Sequence, residues 1–289
     1  MRANLAPSVL AALAATVLLW ASAYAGIRVG LAEYGPGQVA LFRLLTASVV
    51  LALYALVTRM RLPEARDLPA VLLLGFLAFT VYHAALNFGE RTVGAGAAGV
   101  LIATAPVITA LLAAGFLGEK IKSLGQFGMG LSFAGAALIS VDEGRGFSLD
   151  PGAFLILLSA VCVSVYFVFQ KPYLGKYGAL AFTTYTIWAG TLFALIYLPG
   201  LVAQVGAASA GVTLTMVYLG VFPTAVAYVT YAYAFSRMDA SVAASFLYLV
   251  PVLAYLIAWG WIGETPSLMS VVGGVIVLAG VFLVNRRGG

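Results

Sequence analysis

Leu101-Ile102-Ala103-Thr104-Ala105-Pro106-Val107, closed by Gly118-Glu119, returns as Phe246-Leu247-Tyr248-Leu249-Val250-Pro251-Val252, closed by Gly263-Glu264. Pro106 and Pro251 stand 145 residues apart, and so do Glu119 and Glu264. Gly128 and Gly135 find Gly273 and Gly280 at the same displacement. Such a duplication in a strongly apolar chain marks a membrane protein built from two related halves.

Composition sets the solvent. The chain has 289 residues, of which 63% are hydrophobic and 9% charged, and its mean hydropathy is +1.06. Water-soluble domains do not carry this balance. The apolar runs are continuous rather than alternating, which favours spanning helices over a membrane barrel. Ten spans are expected, at about 7–29, 37–57, 68–88, 94–116, 124–141, 152–170, 180–199, 212–234, 240–262 and 268–285. The longest connector, 142–151, divides a first five-helix half (1–146) from a second (147–289). Arg2, an apolar run and Ala21-Ser22-Ala23 imitate a signal peptide. The run is too long for one, and Ser22-Ala23-Tyr24 has a partner in Ser164-Val165-Tyr166.

Charge orients the bundle. With the N-terminus in the cytoplasm, Arg2, Arg59, Arg61, Arg66, Lys120, Lys122, Lys171, Lys176, Arg237, Arg286 and Arg287 fall inside. Arg28, Arg91 and Arg145 fall outside, and Arg43 lies within a span. That is a strong positive-inside bias, and it puts both termini in the cytoplasm. Five spans per half is an odd number, so the halves run in opposite senses and form an inverted repeat. The expected fold is therefore an all-α membrane protein of ten transmembrane helices in two inverted five-helix repeats. The basic residues sit in short connectors, which does not suggest a nucleic-acid partner. The single Cys162 excludes an intrachain disulfide and a thiolate cluster. With one histidine, no metal site is expected. No nucleophile–base pair or Gly-rich phosphate loop stands out, so neither an enzyme nor an ATP-driven pump is indicated. No cofactor is expected.

Ten spans in two halves, with a Pro…Gly-Glu segment closing spans four and nine, resemble the drug/metabolite transporter superfamily, EamA type. Trp20-Ala21-Ser22-Ala23-Tyr24, Tyr82-His83-Ala84-Ala85-Leu86-Asn87 and the Tyr228/Tyr231 region most resemble the bacterial aromatic amino acid exporters. The resemblance implies export from cytoplasm to periplasm across the inner membrane by alternating access.

Polar and aromatic residues three and four apart share a helix face. This spacing nominates Trp20 and Tyr24; Thr80, Tyr82, His83 and Asn87; Tyr166 and Gln170; Tyr228 and Tyr231; Ser245 and Tyr248 as substrate-binding candidates. His83 and Tyr228 are related by the 145-residue displacement. Arg43 reads either as a clamp for a substrate carboxylate or as a latch on backbone carbonyls. Arg28 and Arg91 are expected to meet headgroups or Glu33 and Glu90. Glu119 and Glu264, each beside a glycine at a helix end, are expected to cap loops or gate the cavity. Pro106 and Pro251 are expected to interrupt spans four and nine and act as hinges. Gly94, Gly96 and Gly99 are expected to permit close helix contact, and Gly128, Ser132, Gly273 and Gly274 to form packing surfaces. No acid lies mid-span, which disfavours strong organic cations and suits an amino acid, aromatic or otherwise neutral, held by rings and hydrogen bonds. A multidrug or nucleotide-type exporter of the same fold is the competing reading. A monomer suffices to enclose such a cavity.

Overall fold

A computed structural model of the chain describes residues 6–93, 95–119, 123–141, 151–263 and 268–286. Arg2, Gly94, Lys120, Lys122, Arg145, Glu264 and Arg287 lie outside them, as does the expected boundary between the halves. The described residues are helical, without strands. The elements are α1 (Pro7–Leu31), α2 (Pro36–Thr58), α3 (Ala65–Gly89), α4 (Ala95–Ile102), α5 (Ala105–Phe116), α6 (Ser123–Val141), α7 (Pro151–Tyr177), α8 (Ala179–Tyr197), α9 (Leu201–Ala207), α10 (Ala210–Phe235), α11 (Ala240–Ile262) and α12 (Leu268–Arg286). Seven of these (α1, α2, α3, α7, α8, α10 and α11) are long and apolar enough to cross a membrane. Shorter apolar helices cover Ala105–Phe116 and Val271–Gly280.

Local chemistry sets the helix boundaries. Proline opens α1, α2 and α7, where its missing N–H costs no intrahelical bond. Gly178 parts α7 from α8 and Gly263 ends α11, at φ of 79° and 76° respectively, a conformation that strains any side chain.

Side-chain contacts sort the helix ends. At one end, Tyr233 donates to Ser8, Lys176 pairs with Glu64 and Asp67, Tyr177 bonds Asp67, and Tyr185 bonds the Arg61 carbonyl. At the other, Gln204 accepts from the Gly35 amide, Tyr34 bonds Thr213, and Glu33 accepts from the amide and hydroxyl of Ser209. Arg59, Arg61, Arg66, Lys171, Lys176 and Arg237 gather at the first, basic end. Glu33 thus answers Ser209 rather than Arg28 or Arg91.

Small residues let the helices meet at van der Waals range. A Cβ on Gly190 of α8 would fall on the Phe79 Cβ and lie 2.7 Å from the Gly75 carbonyl of α3. A Cβ on Gly280 of α12 would fall on Ser132 of α6, beside the Gly128 carbonyl at 2.6 Å. Gly99 differs from its expectation, because nothing lies within 4 Å of a Cβ built there.

Two long helices are distorted at matched positions. In α3 the turn Phe76–Val81 is π-helical, and in α10 so is Gly220–Val226. Such bulges free backbone carbonyls and cluster at functional sites. Two other segments are broken. The fourth expected span divides into α4 and α5, with Ala103 and Thr104 between them. In α11 the turn Phe246–Tyr248 tightens to a 3₁₀ helix. The prolines are not themselves the breaks. Pro106 sits in the first turn of α5, and Pro251 follows the tightened turn, where a proline is accommodated.

Candidate functional site

The matched irregularities converge on one central cavity. About 50 Å³ of it is open to water-sized spheres, inside about 670 Å³ of atom-free space. The smaller figure governs what fits now, because the larger includes open solvent. That is room for a few waters, against the several hundred Å³ usual for a ligand pocket. A bulky substrate requires the walls to part.

α1 supplies Trp20, Ala23, Tyr24 and Ile27, one face at helical spacing. α2 supplies Arg43, and α3 supplies Tyr82, His83 and Leu86 just past its π turn. α10 places Tyr228 just past its own π turn. Gly99, Ile102, Ala103, Ala105 and Pro106 bring the break between α4 and α5 to the wall, and Leu247, Val250 and Pro251 bring that of α11. Val163 and Phe167 of α7 complete it. Among the described residues, no carboxylate lines the cavity.

The rings form a cage. Trp20 packs edge-on against Tyr228 at 5.0 Å between centroids, and Tyr82 edge-on against His83 at 4.9 Å. Phe79 tilts against Tyr228 at 4.7 Å from behind. The Trp20 indole N–H donates to the Pro223 carbonyl at 3.0 Å, which satisfies a group of the π turn. His83 Nδ1 lies 3.0 Å from the Phe79 carbonyl. A carbonyl only accepts, so Nδ1 carries a proton, and in the neutral ring Nε2 is an acceptor. Nε2 has no hydrogen-bond partner.

Arg43 is 3% exposed. Its Nε donates to Thr224 Oγ1 at 3.3 Å, in the second π turn, and its Nη1 has no partner. It stands within electrostatic reach of Tyr24, Tyr82, Tyr228 and Glu90. Of the two readings of Arg43, a latch on backbone carbonyls is not what the geometry shows. A largely uncommitted guanidinium faces a cavity of aromatic rings.

Glu90, one residue past α3, is 1% exposed, and neither carboxyl oxygen has a partner. Burial pushes its carboxyl up to about 8, against the pull of Arg28 and Arg43. Its sequence signal was its place next to a span end, where a solvated role is the ordinary one.

The other nominated residues do not line the cavity. Thr80 donates to the Gly190 carbonyl at 2.7 Å and Asn87 to the Pro36 carbonyl at 3.1 Å. Tyr166 shares a hydrogen bond with Thr186, and Ser245 donates to the Val242 carbonyl. Tyr231 stands behind Trp20, ring centroids 5.1 Å apart. Gln170 and Tyr248 are fully buried away from the cavity. On α7 the wall is instead the neighbouring stripe of Val163 and Phe167, which carries no polar signal.

At the basic end, Glu119 fastens three elements. Its carboxylate accepts from Lys171 Nζ at 2.7 Å, from the Ala240 and Ser241 amides at 2.7 and 3.1 Å, and from the Ser241 hydroxyl at 3.0 Å. It caps the first turn of α11. Burial opposes its ionisation, but the Lys171, Ala240 and Ser241 hydrogen bonds prevail and hold the carboxyl below its ordinary range. Among the described residues no group of His, Cys, Asp and Glu could hold a metal.

Comparison with known proteins places this architecture. The model of the EamA-like transporter family matches residues 7–141 and again 150–286. The chain is 47% identical over 263 residues to the uncharacterised transporter YdfC of Bacillus subtilis (strain 168), covering 91% of this chain and 86% of that one. It is 42% identical over 276 residues to a "probable terminal-alkyne amino-acid exporter" of Streptantibioticus cattleyicolor, covering 96% and 93%. A crystal structure of another protein superposes with a TM-score of 0.77 over 97% of this chain and 98% of that one; at 18% identity this is a likeness of fold. With the family match repeated over both halves and long apolar helices around a shared cavity, the chain belongs to the EamA-like transporter family and is a multi-pass membrane transporter.

Proposed function

We propose that this transporter exports amino acids, aromatic and other neutral ones, across the bacterial inner membrane by alternating access. The observation that carries the reading is the cavity wall: one largely uncommitted guanidinium, a histidine and five other aromatic side chains, with no carboxylate among the described residues. Arg43 suits a substrate carboxylate. His83 Nε2 suits its ammonium, and Trp20, Tyr24, Tyr82 and Tyr228 suit an apolar or aromatic side chain. The amino-acid exporter relative points to the same class.

Ten spans in two inverted halves, 1–146 and 147–289, are part of the proposal. The family match to each half supports it, as do π turns in α3 and α10 and breaks near Ala103 and Leu247 at nearly equal displacements. The basic end faces the cytoplasm under the positive-inside rule. Pro106 and Pro251 sit beside the breaks, where the half-helices pivot as the cavity opens to either side. A single chain carries the whole cavity, so a monomer is the working unit.

Expression in a bacterial host tests the reading. Cells producing the protein should resist a toxic phenylalanine analogue, and cells producing Arg43→Gln at equal membrane level should not. Protection against flat hydrophobic cations but not against the analogue would replace the amino-acid reading with drug efflux.

A further inference from the structure

Among the described residues, Glu90 is the one buried acid in the neighbourhood of the cavity that the proposed binding chemistry does not use. Its carboxyl is shut from solvent and makes no hydrogen bond. A carboxylate in that state is costly, so its surroundings decide whether it ionises. The groups facing it are few. Tyr24 and Arg28 come from α1, Arg43 from α2 and Tyr82 from α3. α4 carries no titratable residue, and the neighbouring turn of α7 at Gly152 and Ile156 is apolar. Arg91 is exposed. Among the described residues, the two charges able to hold Glu90 ionised are therefore Arg28 and Arg43, and Arg43 is the group that the amino-acid reading assigns to the substrate.

We infer that Glu90 is a proton-binding site linked to substrate occupancy of Arg43. In the empty cavity, Arg43 favours the ionised form of Glu90, which dominates only above about pH 8. A substrate carboxylate on Arg43 neutralises that support and adds a negative charge nearby, so Glu90 takes up a proton from solvent as the substrate binds. Release of the substrate returns it. Substrate and proton thus bind together, and affinity falls as pH rises, by at most tenfold per pH unit for one linked proton. On the outward side, an acid medium retains substrate and an alkaline one releases it. The inference rests on the proposed amino-acid reading, through Arg43.

Calorimetric titration of the whole purified protein in lipid nanodiscs with L-phenylalanine tests it, run from acid to alkaline pH in two buffers of different ionisation enthalpy. The expected result is uptake of up to one proton per substrate bound, with affinity weakening toward alkaline pH. Glu90→Gln, which stays neutral, should bind at every pH with the acid-side affinity and take up no proton. Glu90→Asp keeps a carboxyl and should move the midpoint of the pH dependence while retaining proton uptake; it serves where Glu90→Gln does not fold. Binding by the wild type without proton uptake and flat with pH would overturn the linkage and leave the amino-acid reading standing. A midpoint unmoved in Glu90→Asp, or proton uptake persisting in Glu90→Gln, would assign the proton elsewhere and overturn it equally. No binding at any pH would overturn the amino-acid reading and the linkage together.

Discussion

Replacing Glu119 with alanine should loosen the basic end of the bundle by a measurable amount. The carboxylate caps the Ala240 and Ser241 amides and pairs with Lys171. Loss of an N-cap costs about 1 kcal/mol. The Lys171 side chain is 26% exposed, so that pair adds only about 0.5 kcal/mol after solvent screening. The sum, about 1.5 kcal/mol, changes the ratio of closed to open states at that end by roughly tenfold. The assay is alkylation of a reporter cysteine at Ala103, on the cavity wall, in a Cys162→Ala background. An impermeant maleimide added from the basic end should react about tenfold faster in the Glu119→Ala protein, and more slowly from the opposite end. Equal rates from the two ends in the variant and its parent, with both folded, would refute the clasp. The pH dependence has a definite sign. The folded-state pKa of Glu119 is depressed from its ordinary 4.5, so the clasp is at full strength above that value and fades as pH falls through the lowered one. Across the neutral range, alkylation should not respond to this group.

Arg43→Gln removes a charged hydrogen-bond donor, a loss of about 2 kcal/mol, so the apparent KM for phenylalanine should rise roughly thirtyfold; an unchanged KM would exclude the clamp. Gly190→Ala forces a Cβ onto Phe79 and the Gly75 carbonyl, and overpacking of this kind should lower stability by about 1–3 kcal/mol in a thermal melt. Gly99→Leu should instead leave stability unchanged, because a side chain there projects into open space beside the cavity. Its melting temperature should hold while its flux is lost. Trp20→Phe strips the Pro223 carbonyl of its donor, a cost of about 1–3 kcal/mol, and should disturb the π turn that seats Thr224 against Arg43. Its signature would be a reduced melting temperature together with weaker substrate binding.

The helical class and the site region were legible because lipid permits few alternatives. A continuous apolar run must be a helix, and polar groups within it must face protein. Trp20, Tyr24, Tyr82, His83, Arg43 and Tyr228 followed from that rule, and the cavity gathers all six. The rule cannot separate a cavity wall from a helix contact, since both bury polar groups. Thr80 and Asn87 share the face of His83 at helical spacing, yet they bond the carbonyls of Gly190 and Pro36. Conversely, Val163, Phe167 and Leu247 line the wall with apolar atoms and carry no polar signal. The π turns were not legible either. Periodicity over a few residues does not resolve an i+5 bond, although Pro223 inside an otherwise regular run was a clue. Pro106 lies just past the break at Ala103 and Thr104, because proline is accommodated in the first turn of a helix and disfavoured further in.

The central claim is most directly tested by flux from proteoliposomes loaded with labelled phenylalanine or tryptophan, with no ion gradient. The account predicts release above protein-free vesicles, competed by other neutral amino acids and reduced in Arg43→Gln and His83→Ala. Folded wild-type protein that releases neither substrate, with or without a pH step, would contradict it.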